Sequence, residues 1–343
     1  MKSNTFGLDL GTTSIKAMWL AKNGHEIQLA SVASVPSVVK SLLSESIYDR
    51  QTLSSSIKSL LKNAGITINN ANICLPESQV YLKVLEMPEL SQKELQSSLI
   101  WEMEQHIPLS LDQVRTTWQI LDHTNKEGRR SMQVLLVAAP IGVLEKYDKI
   151  MQESGINTQA METEVISVHR ALLPTLNSKG ADVIVHLGAS TTDVLITRNK
   201  IINIAFSIPF GGIAITRAIS MDLGVEITQA ENLKRAYGLS KEMLEGKVGR
   251  SLSPILESIA GDVKKSILLY KEKNNNENVS QIILSGGNAL LPGIDVFFTN
   301  ILDTQVVIAN AWELNNIVNT PQEVIDDAPS YNVVLGLALR DLV

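Results

Sequence analysis

Two short segments of the chain combine glycine with small hydroxyl residues, which suits them to bind phosphate groups. The first, Gly7 to Lys16, has the sequence GLDLGTTSIK, and the second, Leu187 to Asp193, has the sequence LGASTTD. Backbone N–H groups and hydroxyls in such turns can surround an anion. Lys16 adds a positive charge, and Asp9 adds a carboxylate that can hold Mg²⁺ through water, because this ion keeps much of its hydration shell. Together the segments predict a site that grips a polyphosphate from two sides.

The two segments are related by a repeat. Aligning Gly11 with Gly188 gives an offset of 177 positions. In each copy an apolar run precedes the glycine and hydroxyl residues and a second apolar run follows, which is the pattern of two antiparallel strands joined by a tight turn. A third strand is predicted after each pair, at 26–32 and 200–208. We therefore expect two halves that begin alike and face each other across a cleft.

A third segment, Ile282 to Gly293, has the sequence IILSGGNALLPG and predicts a buried strand that ends at paired glycines. Gly286 and Gly287 would let a flat ring or a sugar approach the backbone closely. An ordinary tight turn between a strand and a helix would have the same pattern, and the residues alone leave both interpretations open.

The composition narrows the class of protein. At 343 residues the chain exceeds the about 250 to 300 residues at which single cores stop growing, so two domains are expected. A hydrophobic fraction of 44% is typical of a globular protein, and a formal charge of −6 without a long basic run argues against a nucleic-acid partner. Cys74 is the only cysteine, which excludes an intramolecular disulfide. The N-terminus does not resemble a signal peptide and no window reaches the ~18 apolar residues of a membrane span, so we expect no direct membrane insertion.

Helical patterns follow each set of predicted strands. They lie at 52–63 in the first half and at 212–223, 228–237 and 251–273 in the second. Strands mixed with helices in this way indicate α/β layers, so the predicted fold class is α/β.

Residues 87–155 have no counterpart in the second half. With the strand at 80–87 before them, they predict a helix that begins at Ser91, two strands and a final helix at 141–154. Ser91 and Glu94 have the spacing of a capping box. This pattern is typical of a small α+β module inserted into the first half. The predicted division is a first domain of residues 1–87 and 156–178, an inserted module of residues 88–155, a second domain of residues 179–330, and a C-terminal helix of residues 331–343 that returns to the first domain.

Taken in order, the three glycine segments resemble the first phosphate, second phosphate and adenosine motifs of the actin-like ATPases. Further segments narrow the resemblance to the PilM family of type IV pilus assembly proteins. They are MPELSQKEL from Met87, EQHIP from Glu104, FGG from Phe210, AENLKRAYG from Ala230 and GLALR from Gly336. The resemblance implies duplicated domains of the actin-like, ribonuclease H-like fold, with the inserted α+β subdomain in the first.

The resemblance also implies that ATP lies between the halves, with Mg²⁺ near Asp9. The residues then expected to bind the cofactor are Asp9, Gly11, Thr12, Thr13, Ser14, Lys16, Gly188, Ala189, Ser190, Thr191, Gly211, Gly212, Glu231, Lys234, Gly286, Gly287 and Asn288. Two of them, Gly211 and Gly212, would stand at a helix N-terminus, where the backbone dipole favours an anion.

Three further roles rest on the resemblance alone. Glu231 and Lys234 are three residues apart on one helix face, where the carboxylate would bind ribose hydroxyls and the lysine would pack beside the base. Without the resemblance, the same pair would be a solvated salt bridge. Glu164 would be the catalytic residue that orients the attacking water, although the helix dipole alone also favours a carboxylate at a helix start.

Position 186 departs from the family pattern. Relatives begin the second phosphate motif with Asp-X-Gly, whereas this chain has His186 there. A neutral imidazole is a poor partner for hydrated Mg²⁺, which prefers oxygen. We therefore expect a protein that binds ATP but hydrolyses it slowly or not at all.

The resemblance implies a cytoplasmic scaffold held at the inner membrane through a partner. The expected partner is the N-terminal cytosolic tail of the inner-membrane protein PilN, which the scaffold would link to the pilus assembly machinery. The tail is expected as an extended peptide in a groove between the inserted module and the first half, lined by residues 80–87 and 101–108. Trp101, Met103 and Ile107 also fit the spacing of a helix core. The residues leave open whether the protein is a homo-oligomer and which pilus or secretion system it serves.

Two other functions are compatible with the same motifs. A filament-forming cell-division protein like FtsA shares the nucleotide motifs and an inserted subdomain, but such chains run longer and usually end in an amphipathic membrane helix, whereas this one stops at Val343. A sugar or acetate kinase would need a general base on the substrate side. Asp193 is the one carboxylate beside a motif, and a role in the turn suits it better.

Overall fold

The structure is a computed structural model that describes residues 3–342 apart from residues 25, 39–43, 45, 108, 127–128 and 309. The strands are β1 (Phe6–Leu10), β2 (Ser14–Asn23), β3 (Glu26–Pro36), β4 (Asn70–Leu75), β5 (Tyr81–Pro88), β6 (Val114–Lys126), β7 (Arg129–Pro140), β8 (Asn157–Thr163), β9 (Ala181–Leu187), β10 (Thr192–Arg198), β11 (Ile201–Ile208), β12 (Val279–Ser285), β13 (Val306–Ile308) and β14 (Ile317–Val318). The helices are α1 (Ile47–Asn63), α2 (Gln92–His106), α3 (Ile141–Ser154), α4 (Glu164–Leu172), α5 (Gly212–Leu223), α6 (Ile227–Tyr237), α7 (Lys247–Lys273), α8 (Ile294–Leu302), α9 (Ala311–Leu314), α10 (Gln322–Asp326) and α11 (Asn332–Leu339).

Two larger sheets repeat one topology. Their strand orders are β14-β3-β2-β1-β4-β8 and β11-β10-β9-β12-β13. Each contains three antiparallel strands joined in sequence, β1 to β3 and β9 to β11. Each then continues with two parallel strands, which are β4 and β8 in the first sheet and β12 and β13 in the second. The α/β class and the duplication that the sequence predicts are therefore confirmed.

A shared layer of helices joins the halves. β1 and β9 are buried along their whole length, as expected for strands in sheets covered on both faces. The first sheet packs on α1 and α3 on one side, and the second packs on α5, α7 and α8 on its own outer side. Between the two sheets, α4 and α11 contribute to one apolar cluster that contacts both. The cleft residues are thus fixed to two rigid sheets around a common core.

The C-terminal helix α11 lies unusually close to its neighbours. A Cβ atom at Gly7 of β1 would lie 2.6 Å from the carbonyl oxygen of Val334, and one at Gly336 would collide with the carbonyl oxygen of Ser167 in α4. The guanidinium of Arg170 also donates to the carbonyl oxygen of Gly336 at 2.9 Å. Only glycine permits these approaches, so α11 is held against β1 and α4 of the first domain.

A third sheet, ordered β5-β7-β6, forms the inserted module together with α2. The buried side of α2 places Leu95, Leu99 and Met103 against this sheet. The helix begins after Ser91, whose capping box with Glu94 is present as predicted. The module therefore has a small core of its own.

The edges of the module differ from the predicted division at residues 88 and 155. All of β5 except its last residue, Pro88, falls in the predicted first domain, yet the strand pairs along its length with β7. By contrast, α3 packs on α1 and places Tyr147 and Ile150 in the core of the first domain. Likewise β14, inside the predicted second domain, pairs with β3 of the first sheet. Local sequence patterns indicate whether a segment is a helix or a strand, but not which sheet it joins. From the observed strand pairing and packing, we propose module boundaries between residues 80 and 81 and between residues 140 and 141.

The module also contacts the second half. Leu82 and Val84 of β5 and Leu121 of β6 pack against the apolar cluster that contains Ile202 of β11. A change in the position of the second half would therefore be transmitted to the module at β11.

Candidate functional site

The two glycine–hydroxyl turns lie across one cleft. The Oγ of Ser190 donates a hydrogen bond to Oγ1 of Thr12 at 3.1 Å, and both residues are exposed. The turns also share a geometry, because a Cβ atom at Gly11 would lie 2.9 Å from the carbonyl oxygen of Ser14 and one at Gly188 equally close to that of Thr191. Hydroxyl and backbone groups of both halves therefore border the same space.

In each hairpin, two charged or polar residues lie directly opposite each other on the paired strands. Asp9 lies opposite Lys16 in the first hairpin, and His186 lies opposite Asp193 in the second. The Nζ of Lys16 donates to the carbonyl oxygen of Ser330 at 2.8 Å and stands 5.3 Å from the centre of the Tyr331 ring. The lysine thus reaches the segment before α11 and remains beside the cleft.

Four carboxyl groups gather at this cleft. Asp9 and Glu77 are each 7% exposed and Asp193 is 1% exposed, whereas Glu164 is half-buried at the first position of α4. Burial raises the pKa of Asp9 against the opposing charge of Lys16. Burial and then the charge of Asp193 raise the pKa of Glu77 to about 8 and that of Glu164 well above its ordinary value. Burial raises the pKa of Asp193 itself to about 6, so all four carboxyl groups resist ionisation unless a positive charge lies beside them.

Glu77 and Asp193 were not among the predicted site residues. The sequence assigns Asp193 a role in the turn, whereas in the structure one of its oxygens accepts from Ser207 and the other has no hydrogen-bond partner within the described residues. The signal for Asp193 was available, because a hairpin centred on its turn pairs residue 193 with residue 186. Glu77 carried no signal in the sequence, since it enters the cleft from the end of β4.

His186 is a neutral side chain in this setting. Burial, with a smaller contribution from Lys16, lowers its pKa to about 4. Its Nδ1 lies 3.0 Å from Oγ of Ser285, which also accepts a hydrogen bond from Asn332 at 2.8 Å. The imidazole therefore belongs to a buried polar chain and brings no negative charge to the cleft.

Gly211 and Gly212 serve the second turn by close packing. The N–H of Gly212 donates to the carbonyl oxygen of Gly188 at 3.0 Å, and the N–H of Ile213 donates to that of Ala189 at 2.9 Å. A Cβ atom at Gly211 would lie 2.7 Å from the Ala189 oxygen. The first amides of α5 thus hold the turn, which differs from the expectation that this helix N-terminus offers its amides to an anion.

The third glycine segment also braces the second turn. The amide of Asn288 donates to the carbonyl oxygens of Gly188 at 2.8 Å and Leu187 at 3.2 Å. Gly286, with φ +84°, leaves no room for a Cβ atom against Leu187, whereas the nearest atom to one at Gly287 would be 3.8 Å away. Gly287 is therefore open to a ligand, while Asn288 is committed to the protein.

Glu231 and Lys234 form a pair that is more buried than a solvated salt bridge. Nζ of Lys234, a residue only 3% exposed, lies 2.8 Å from Glu231 and donates to Thr216 at 3.0 Å. Burial opposes ionisation of Glu231, but hydrogen bonds from Lys234, Thr216 and Arg235 lower its pKa to about 2. The exposed Arg235, which donates to Glu231 at 2.8 Å, was not predicted, although it follows Lys234 directly and lies four residues after Glu231.

Comparison with known proteins identifies the family. The profile described as "Type IV pilus assembly protein PilM" matches residues 7–342. The chain belongs to this PilM family. This PilM-family chain is also similar to the cell division protein FtsA of Streptococcus pneumoniae serotype 2, with 23% identity over 327 residues that cover 84% of the chain and 71% of FtsA.

Solved structures give the same fold. A PilM–PilN type IV pilus biogenesis complex matches with a TM-score of 0.85 at 21% identity, covering 99% of both chains. MreB 5 of Spiroplasma citri, solved with AMPPNP, matches with a TM-score of 0.53 at 15% identity, covering 97% of this PilM-family chain and 94% of MreB 5. The predicted actin-like fold is therefore confirmed.

Two further findings bear on the predicted partner and membrane relations. Among the described residues, no helix has both the length and the apolar character needed to cross a bilayer.

In α2, Met103 is buried and Ile107 just after it is buried as well, whereas Trp101 is 58% exposed beside Ile100 at 48%. Trp101 is thus not a core residue, and α2 presents an apolar patch to solvent. Pro108, at the end of the predicted groove segment, lies outside the described residues.

Proposed function

We propose that this PilM-family chain is an ATP-binding scaffold of type IV pilus assembly. The contact between Thr12 and Ser190 carries the proposal, because it brings two phosphate-binding turns to one cleft. A triphosphate there would meet hydroxyls and backbone N–H groups from both halves, with Lys16 as the nearby cation. The fold shared with MreB 5, which was solved with AMPPNP, supports a nucleotide in this position.

Calorimetric titration with ATP and magnesium tests this step. The expected result is saturable binding with one nucleotide per chain, and weaker binding of AMP, which lacks the groups that the turns would hold. Heat no greater than dilution at high micromolar ATP would contradict the proposal.

The proposed cofactor set includes Mg²⁺ near Asp9. The site fits a hydrated ion, because buried carboxyl groups border the cleft and one oxygen of Asp193 has no hydrogen-bond partner within the described residues. When bound, the ion would neutralise phosphate charge. Asp9 would hold its water ligands from the first hairpin.

Slow or absent hydrolysis follows from the same groups. Burial and the neighbouring acids raise the pKa of Glu164, the proposed residue for orienting water, well above its ordinary value, which disfavours its ionised form. A carboxyl group acts as a general base only in its ionised form, so this environment slows the activation of water. His186 adds no carboxylate on the opposite side. Phosphate release in magnesium at a rate typical of actin-like ATPases would contradict this part of the proposal.

We propose that the partner is the N-terminal cytosolic tail of PilN, bound in the groove between the module and the first domain. The match to a PilM–PilN complex supports this partner. The exposed Ile100 and Trp101 of α2 offer apolar contacts to an extended peptide. The protein would then be cytoplasmic and held at the inner membrane by PilN, which it links to the pilus machinery.

A peptide with the sequence of the PilN tail should bind the protein when ATP is present. Trp101→Ala should weaken this binding, because a large exposed aromatic residue is a frequent anchor at interfaces. Met221→Ala is the matched control, since Met221 is 83% exposed on α5 of the second domain. Equal affinities for the wild type and the Trp101 variant would place the tail elsewhere.

The alternative is an FtsA-like protein that forms filaments, which the similarity to FtsA supports. Filaments would require contacts between copies of the chain that depend on ATP. Sedimentation with ATP and electron microscopy of the pellet distinguish the two functions. The scaffold proposal predicts that the protein stays in the supernatant, in a small oligomer or as a monomer.

A further inference from the structure

Glu77 reaches the cleft from the end of β4 in the first sheet. β1, β4 and β8 are neighbouring parallel strands, so their carboxyl ends meet at one edge of the sheet. Asp9 lies at the end of β1, Glu77 follows β4 and Glu164 follows β8. Ligands of open α/β sheets bind at this edge. Three acids from three strands therefore border the site proposed for the nucleotide.

Glu77 is only partly satisfied by the protein. It accepts hydrogen bonds from the N–H of Val165 and the hydroxyl of Thr163, but its Oε2 has no hydrogen-bond partner within the described residues. The residue is 7% exposed. A buried polar atom without a partner is unfavourable unless a ligand or water satisfies it. The second oxygen of Glu77 is thus available for a bound group.

Asp193 presents the same arrangement from the second half. One oxygen accepts from the Ser207 hydroxyl at 2.6 Å, and Oδ2 has no partner in the described part of the chain. Glu77 and Asp193 are close enough for the charge of Asp193 to raise the pKa of Glu77. Two buried acids from opposite halves thus each retain one unsatisfied oxygen, which suits a shared cation.

We propose that Glu77 supplies the carboxylate that His186 does not, and that it holds the hydrated Mg²⁺ of bound ATP through water together with Asp9 and Asp193. This inference rests on the proposed ATP-binding function. No group of three or more acidic, histidine or cysteine side chains in the described residues is placed to ligate an ion directly. Mg²⁺ commonly keeps several waters and uses few carboxylates, so contacts through water match both observations.

A structural role for Glu77 makes a different prediction. Its hydrogen bond to Val165 caps the first turn of α4, and a glutamine could accept the same bond. If capping were its whole function, Glu77→Gln would leave cation binding unchanged. Replacing one carboxyl oxygen by an amide nitrogen while keeping the shape therefore separates the two roles.

The test measures Mn²⁺ binding to the full-length protein with saturating ATP, by electron paramagnetic resonance. Glu77→Gln should weaken Mn²⁺ binding by about tenfold, as expected when a group that orients metal ligands is lost. Glu86→Gln, at an exposed position on β5, is the matched control and should bind Mn²⁺ like the wild type. ATP affinity in EDTA should not fall in either variant, because no cation is then present for Glu77 to hold.

A second variant tests whether a carboxylate at position 186 can replace that of Glu77 in holding the cation. Combining Glu77→Gln with His186→Asp should restore Mn²⁺ binding towards the wild-type value, provided that thermal melting shows the double variant to be folded. Wild-type Mn²⁺ affinity in Glu77→Gln alone would overturn the inference, and so would a loss of ATP binding in EDTA. If the unaltered protein binds no ATP in EDTA or in magnesium, the proposed function is wrong and this inference falls with it.

Discussion

The two hairpins at the cleft have one backbone geometry and different side-chain chemistry. The first pairs Asp9 with Lys16, and the second pairs His186 with Asp193. These positions correspond, because 186 minus 9 and 193 minus 16 both give 177. In both turns a Cβ atom on the glycine would lie 2.9 Å from the carbonyl oxygen three residues later. The repeat has thus kept the turn and exchanged the strands that carry the acid.

The turn and the cross-strand pair of side chains differ in how strictly the structure restricts their residue types. The turn needs glycine because the backbone itself approaches within contact distance. The cross-strand pair has no such restriction, and the second hairpin moves its carboxylate from the outgoing to the returning strand. A search for an acid at position 186 therefore misses the acid that faces it.

The largest effect is expected when Gly7 is replaced by the residue type found at the corresponding position of the second half. Its counterpart, 177 positions later, is the fully buried Ile184. Gly7→Ile would force a side chain into α11 and lower the free energy of unfolding by about 3 kcal/mol or more, measured by urea denaturation. Gly142→Ala in α3 is the control, since a Cβ there meets nothing within 4 Å. A small effect at Gly7 would mean that α11 is held less closely on β1 than the structure has it.

The second prediction concerns acid. Because burial lowers the pKa of His186 from 6.5 to about 4, the unfolded chain takes up a proton there before the folded chain does. Stability from this residue is therefore complete above pH 6.5 and is lost as the pH falls towards 4. Relative to His186→Asn, the wild type should lose on the order of 2 kcal/mol between pH 7 and pH 4.

Urea denaturation at a series of pH values checks this prediction. The buried acids are common to both proteins, so their own pH dependence cancels in the difference. His123→Asn, at an exposed histidine of the module, is the control and should follow the wild type. A difference between wild type and His186→Asn that stays constant across the range would contradict the neutral, buried state of this imidazole.

The third prediction tests the cation of the first hairpin. Lys16→Ala should weaken ATP binding by about tenfold, because a charge-assisted contact to phosphate would be lost. Calorimetry gives the affinity, and Lys58→Ala on the exposed face of α1 should leave it unchanged. Equal affinities for all three proteins would show that Lys16 serves only its contact with Ser330.

The smallest effect is expected at the contact that joins the turns. Ser190→Ala removes the hydrogen bond to Thr12 and one hydroxyl of the second turn. ATP affinity should fall by about threefold, the scale of one neutral hydrogen bond. Ser97→Ala on exposed α2 is the control. An unchanged affinity for Ser190→Ala would remove the second turn's hydroxyls from the proposed site.

The sequence predicts the elements of this fold well where local chemistry determines them. Both hairpins, the third strand of each half and the capped start of α2 at Ser91 lie as predicted. Glycine turns, apolar runs and capping boxes act within a few residues, so they are visible in the chain itself.

Contacts between segments that are distant in sequence are harder to predict from the sequence. The assignment of β5 to the module and of α3 to the first domain depends on packing partners far away in sequence. Asn288 was predicted at the nucleotide, but its amide binds the carbonyl of Gly188, a hundred residues earlier. Glu77 reaches the cleft because three parallel strands end together, which only the strand order reveals.

A structure of the protein with ATP and magnesium tests the central claim most directly. The expected result is a triphosphate between the turn that begins at Gly11 and the turn that begins at Gly188, with its γ-phosphate intact. Nucleotide density on another surface, or contacts to one turn alone, would contradict the account.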